Sequence, residues 1–138
     1  MKKFFAIILS LVFITCFSCV TAYAATQASD YLLAYEATLF TGRNRNELQI
    51  QFDTYALDSM SSLGISQIKV YKDNGSYVKT ITGTKTNGLL SSGYGYSGAY
   101  TIKATAGEHY YLELTFIAHD SSGSDYKTYT INTAMAAA

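Results

Sequence analysis

Two stretches of this chain alternate so strictly between apolar and polar side chains that only extended strands with one dry face can use them. In the first, Leu48, Ile50 and Phe52 fall on one side, and Glu47, Gln49, Gln51 and Asp53 on the other. In the second, Tyr110, Leu112, Leu114 and Phe116 oppose Tyr111, Glu113 and Thr115. Successive side chains of a strand point to opposite faces, so a two-residue period predicts core on one face and water on the other. Beyond residue 24 no stretch carries a helical period, and the chain is expected to be all-β.

Weaker copies of the pattern supply the remaining strands. Over 31–40, Leu33, Tyr35, Ala37 and Leu39 alternate with Ala34, Glu36 and Thr38, and a polar run over 42–46 ends the strand. Residues 54–64 lose the period and read as a crossover between sheets; 65–71 resume it with Ile68 and Val70. Asp73-Asn74-Gly75-Ser76 contains the Asn-Gly pair of a two-residue hairpin turn. Pairing Asp73 with Ser76 sets Ile68 opposite Ile81. Residues 82–99 hold five of the ten glycines and read as a long loop, or as one hiding a short strand near Leu89. Strands follow at 100–104, 110–116 and 126–133, with a turn at Ala106-Gly107 and a loop over 119–125.

About seven strands at this spacing predict a two-sheet antiparallel β-sandwich, immunoglobulin-like or fibronectin-like in architecture. Tyr110 follows the Gly107 turn and opens the most apolar strand, where such domains place the tyrosine of a tyrosine corner.

The first 24 residues predict a secretory signal peptide. Lys2 and Lys3 form a basic start, residues 4–20 are uncharged and mostly apolar, and Ala22 and Ala24 stand where a signal peptidase reads, giving a cut after Ala24. Residues 25–138 then form one domain. Both cysteines, Cys16 and Cys19, lie in the leader, so the exported product is expected to contain neither thiol nor disulfide. Small secreted domains from disulfide-forming compartments usually staple their cores, which points to a bacterium with a single membrane. Of ten basic and ten acidic side chains, loss of Lys2 and Lys3 leaves eight against ten, a net charge of −2. Such a domain has no electrostatic footprint for nucleic acid or an anionic membrane.

Several segments taken in order resemble a group of small exported single-domain proteins of Gram-positive, clostridia-like bacteria. They are Ala28-Ser29-Asp30-Tyr31-Leu32, Leu48-Gln49-Ile50-Gln51-Phe52-Asp53, Met60-Ser61-Ser62-Leu63-Gly64, Tyr96-Ser97-Gly98, Ala106-Gly107 with Tyr110, Thr115-Phe116-Ile117-Ala118 and Gly123-Ser124-Asp125. The resemblance implies origin, secretion and a one-domain build. It carries over no catalytic residue.

No metal, cofactor or catalytic site is expected. His109 and His119 sit at opposite ends of one strand, roughly 33 Å apart if it is continuous, and zinc needs three or four clustered ligands. Asp120 and Asp125 flank a glycine turn but lack the further acidic ligands of a calcium loop. Glu47, Asp53, Asp58 and Glu113 fall on polar strand faces or in a loop, where solvation accounts for them, and neither histidine is set near a serine by sequence. Gly93-x-Gly95-x-x-Gly98 matches a dinucleotide fingerprint as a string but opens no helix.

All thirteen tyrosines except Tyr23 lie beyond the leader. Tyr94, Tyr96 and Tyr100 are the candidate ligand-binding residues, because tyrosines among glycines offer rigid aromatic faces at low entropic cost. Outward Tyr71 and Tyr111 could extend the surface. The expected function is a secreted, non-catalytic binding domain whose partner is an extracellular protein or glycan. The alternatives are a self-associating matrix protein, whose edge strands carry little charge and no proline, and a small secreted toxin or bacteriocin.

Overall fold

The computed structural model describes residues 31–138; the expected signal peptide, residues 1–24, with Cys16 and Cys19, lies outside them. Among the described residues the chain is all-β. Six strands, β1 (Leu32–Thr41), β2 (Glu47–Lys72), β3 (Tyr77–Thr82), β4 (Leu90–Lys103), β5 (His109–Asp120) and β6 (Gly123–Met135), join in one antiparallel sheet. No helix among these residues is long and apolar enough to cross a membrane.

The organising element is β2, 26 residues long. Its first half pairs with β1 on one side and β4 on the other, and its second half with β5 and β3. β6 extends the second half beyond β5. The expected crossover at 54–64 is therefore strand, and two expected strands are one, which reduces seven to six. What the lost period marks is a change of pairing partner: the β4 register slips between Tyr55 and Met60 and again between Met60 and Leu63. Bulges bend a strand and sharpen its twist, so the sheet curls and both halves bury their apolar faces in one core. Leu48, Ile50, Phe52 and Ile102 from one half meet Ile68, Val70, Leu112, Leu114 and Phe116 from the other, each at most 2% exposed.

Edge strands β1 and β6 come side by side where the curl closes. Tyr35 on β1 lies 5.3 Å from Phe116 on β5 and 6.4 Å from Tyr129 on β6, centroid to centroid, and Phe116 and Tyr129 are themselves 6.4 Å apart. Across the same seam the Leu32 amide donates to the Asp125 carboxylate at 3.1 Å. A bulge between Leu32 and Ala34 in β1 corrects the expected pattern there: Leu32 is fully buried and Leu33 faces out.

The hairpin register is as expected, with Ile68 opposite Ile81, but the turn is one residue longer. Gly75 N donates to Lys72 O and Lys72 N to Ser76 O, both at 2.9 Å, and Gly75 alone takes positive φ, 88°. That is a type I turn closed by a bulged glycine, the usual three-residue hairpin loop. The loop expected over 119–125 is also shorter, because Asp120 pairs with Gly123 and β6 starts there.

The long loop expected over 82–99 is mostly strand. Glycines in β4 suggested a loop because glycine alone packs poorly in a sheet, yet two of them lie under aromatic rings of β2. A Cβ on Gly98 would come within 2.6 Å of the Phe52 ring, and one on Gly95 within 3.1 Å of the Tyr55 ring. Each glycine pairs directly with that aromatic residue, which restores the packing it lacks.

Tyr110 is 1% exposed. Its hydroxyl accepts from the Thr105 amide at 2.9 Å and donates to Glu108 at 3.0 Å, which ties the ring to the turn before β5. Tyr110→Phe is expected to cost about 1–2 kcal/mol, since it leaves the Thr105 amide without its partner. Urea unfolding would show this as a lower midpoint at unchanged slope.

Candidate binding surface

The three tyrosines singled out by sequence share β4 but not an environment. Tyr96 sets its ring edge against Phe52 at 5.6 Å, and its hydroxyl donates to Gly88 O. Tyr100 is half-buried and packs on the core. Tyr94, 64% exposed, is the most open of the three. Tyr96 and Tyr100 lie on the inward face with Ile102, as the strand period requires.

A second tyrosine group forms a more connected surface on the outer face of β3, β2 and β5. Tyr71 and Tyr111 are direct cross-strand partners, and their rings stack at 5.1 Å and 9°. Tyr77, opposite Tyr71 on β3, meets that ring edge-on at 5.8 Å and 70°. Its hydroxyl also pairs with the Thr80 hydroxyl at 2.8 Å. Each ring is held by its neighbour, so a ligand would find the row already ordered. The sequence marked Tyr71 and Tyr111 as outward, whereas Tyr77 needed the extra turn residue that brings it level with Tyr71.

Beside the aromatic row runs a polar one. Lys69 and Glu113 are cross-strand partners 3.5 Å apart, flanked in register by Thr80 and Thr130. The next row sets Gln67 between Thr82 and Thr115. Aromatic rings therefore border a field of hydroxyl, amide and charged groups.

The other sequence candidates have structural tasks. Asp120 accepts hydrogen bonds from the Ser122 amide and hydroxyl and from the Gly123 amide. Those of Ser122, first, and then that of Gly123 hold its carboxyl below the usual range. His119 and Ser124 meet across the hairpin at 2.5 Å, a neighbour relation the sequence did not reveal because the turn is only two residues long. Among the described residues no three His, Cys, Asp or Glu side chains gather where they could hold a metal ion. The Gly93, Gly95 and Gly98 string lies within β4.

Glu47 corrects its expected solvated position: it is buried, 8% exposed, and pairs with Lys103 Nζ at 2.6 Å and Asn44 Nδ2 at 3.0 Å. The Lys103 hydrogen bond, ahead of the Asn44 contacts, holds its carboxyl below the usual carboxylate range. Glu108 is lowered likewise by Lys72 and then Tyr110. Groups with depressed folded-state values stabilise the fold above their unfolded pKa and lose that contribution as pH falls through the folded one. Thermal midpoints are accordingly expected to drop as pH is taken from neutral through the ordinary carboxylate range and below it. Glu47→Gln should flatten that drop; an unchanged profile would contradict the assignment.

No family model matches the chain, and no curated protein matches it. Among solved structures it is similar to a family 76 glycoside hydrolase from a bovine Bacteroides thetaiotaomicron strain, at 17% identity and a TM-score of 0.44. That alignment covers 76% of this chain and 20% of the hydrolase, so the chain spans about a fifth of that protein. It is also similar to a Northeast Structural Genomics Consortium target, at 11% identity and a TM-score of 0.37, over 76% of this chain and 84% of that one. Both scores are below 0.5, and neither likeness brings a function to this chain.

Proposed function

We propose that the chain is a secreted, non-catalytic binding domain of a Gram-positive bacterium, acting outside the cell through the row Tyr77, Tyr71 and Tyr111. The observation that carries this reading is the mutual packing of the three rings, which lets them contact a partner without first losing rotamer freedom. A glycan suits the surface better than a protein. Sugar C–H faces pack on aromatic rings while sugar hydroxyls need a dense set of donors and acceptors, and the rows through Lys69, Glu113 and Gln67 supply one. Tyr94 on β4 is a second contact in the same reading. We further read the two halves of the curl as the layers of an immunoglobulin-like or fibronectin-like sandwich, with the Tyr110 tether in support.

The test is the chain from residue 25 on, screened on glycan and host-protein arrays. Tyr71→Ala/Tyr111→Ala is expected to reduce bound signal by at least about tenfold, as loss of an aromatic anchor does, with Tyr94→Ala and Tyr96→Ala as comparisons. A double variant that binds every partner as the parent does would overturn the assignment of the surface.

A further inference from the structure

β4 pairs with β2 on one side only. Among the described residues no strand lies on its other side, and from Ser91 to Lys103 its backbone makes no backbone hydrogen bond outside the β2 ladder. Over 95–103 the strand is regular, matched one for one with 47–55, a run of roughly 30 Å.

Natural sheets protect such edges with lysines, inward charges, prolines or short strands. The other edges carry such protection: β1 has Glu36, β6 has Asp125 and Lys127, and β3 is six residues long with Lys79. β4 has no charge of its own before its last residue and no proline; lysines reach it only at its ends, Lys85 at the Ser92 hydroxyl and Lys79 at Lys103 O. Lys103 itself is neutralised by Glu47 at 2.6 Å.

We propose that the free edge of β4 is a homodimer interface, pairing antiparallel with the same edge of a second copy. An uncharged strand is complementary to itself, and a two-fold pairing closes as a dimer because it uses the edge once. Side chains opposite one another across an antiparallel pair share a face. Tyr96, Tyr100 and Ile102 face inward while Ser97, Ala99 and Thr101 face out, so the two-fold axis passes through a residue.

With the axis at Gly98, Tyr96 lies opposite Tyr100 of the second copy, twice, and Tyr94 lies opposite Ile102. Cross-strand aromatic pairs are among the favourable ones. Ser97 then faces Ala99, and Lys103 faces Gly93, so no charged residue of one β4 strand lies opposite a charged residue of the other. The three β4 tyrosines thereby acquire a shared task as the seam between copies. This interface shares only Tyr94 with the proposed binding surface; the Tyr71 and Tyr111 row lies apart from it, so failure of the dimer and failure of that row are distinguishable.

The test is sedimentation velocity on the chain from residue 25 on, from low micromolar to millimolar. A reversible monomer–dimer equilibrium is expected. Ala99→Lys puts two ammonium groups on the diagonal beside the axis, about 7–8 Å apart at Cα, and should weaken dimerisation at least about tenfold. Thr38→Lys, on the outer face of β1, should leave it unchanged. Thr101→Lys, farther along the same edge, tests the interface independently if Ala99→Lys loses its circular dichroism signal. A strict monomer throughout, or a folded β4 lysine variant that dimerises as tightly as the parent, overturns the proposal.

Discussion

Phe116→Ala is expected to destabilise the protein by about 3–5 kcal/mol, the range for removing a large buried aromatic side chain. Phe116 is fully buried, and its position makes the upper part of that range the expectation. It is the β5 member of the ring triad with Tyr35 and Tyr129 that joins β1 to β6, where no strand ladder does the joining. Truncation leaves a cavity and also frees two rings from their packing partner. A domain of this size should lose roughly 10–20 °C in Tm. A loss under about 1 kcal/mol in urea titration would mean that the seam is held by something else.

Gly64→Ala is expected to cost about 3 kcal/mol, for a backbone reason and not a packing one. Gly64 has φ 137°, a region that side chains strain to reach. A Cβ there would collide with the Leu89 carbonyl oxygen, which accepts from the Ile65 amide at 2.8 Å. That hydrogen bond draws the start of β4 onto β2 and carries Leu89, fully buried, into the core. The oxygen belongs to backbone, so relief requires moving β4. Thermal unfolding followed by circular dichroism should show a Tm lower by about 10 °C or more, and a midpoint equal to the parent's would contradict the role given to this glycine.

What could be read in the sequence was whatever depended on local period. The alternation at Leu48, Ile50 and Phe52 and at Tyr110, Leu112, Leu114 and Phe116 is reproduced in full burial, and the Asn74-Gly75 turn set Ile68 against Ile81. Features that depend on a partner strand were hidden. Residues 54–64 look irregular because their neighbour changes, from the regular β4 register to bulged pairing and then to β5, while the backbone stays extended. Gly95 and Gly98 look like loop residues until Tyr55 and Phe52 are seen to cover them. One bulged residue in β1 exchanged Leu33 for Leu32, because the extra residue inverts the side chains before it, while Tyr35, Ala37 and Leu39 beyond it keep their inward side.

The candidate surfaces follow the same division. Tyr71 and Tyr111 were legible as outward-facing because they lie on periodic strands; their stacking, and the arrival of Tyr77, required the register. Tyr94, Tyr96 and Tyr100 drew attention as a glycine-spaced loop and turn out to line a strand. Glu47 alternates with Leu48 and so looked solvated. Its burial comes from Lys103 and Asn44, which no local pattern announces.

The central structural claim is that β2, shared by both halves, makes one cooperative unit of the curled sheet. Native-state hydrogen exchange tests it most directly. Amides of Ile50 and Phe52 in one half and of Val70 and Leu114 in the other are expected to exchange only through global unfolding, with a common free energy equal to that from urea unfolding. If either set exchanges at a free energy lower than the other by more than about 1 kcal/mol, the halves open separately and β2 does not unite them.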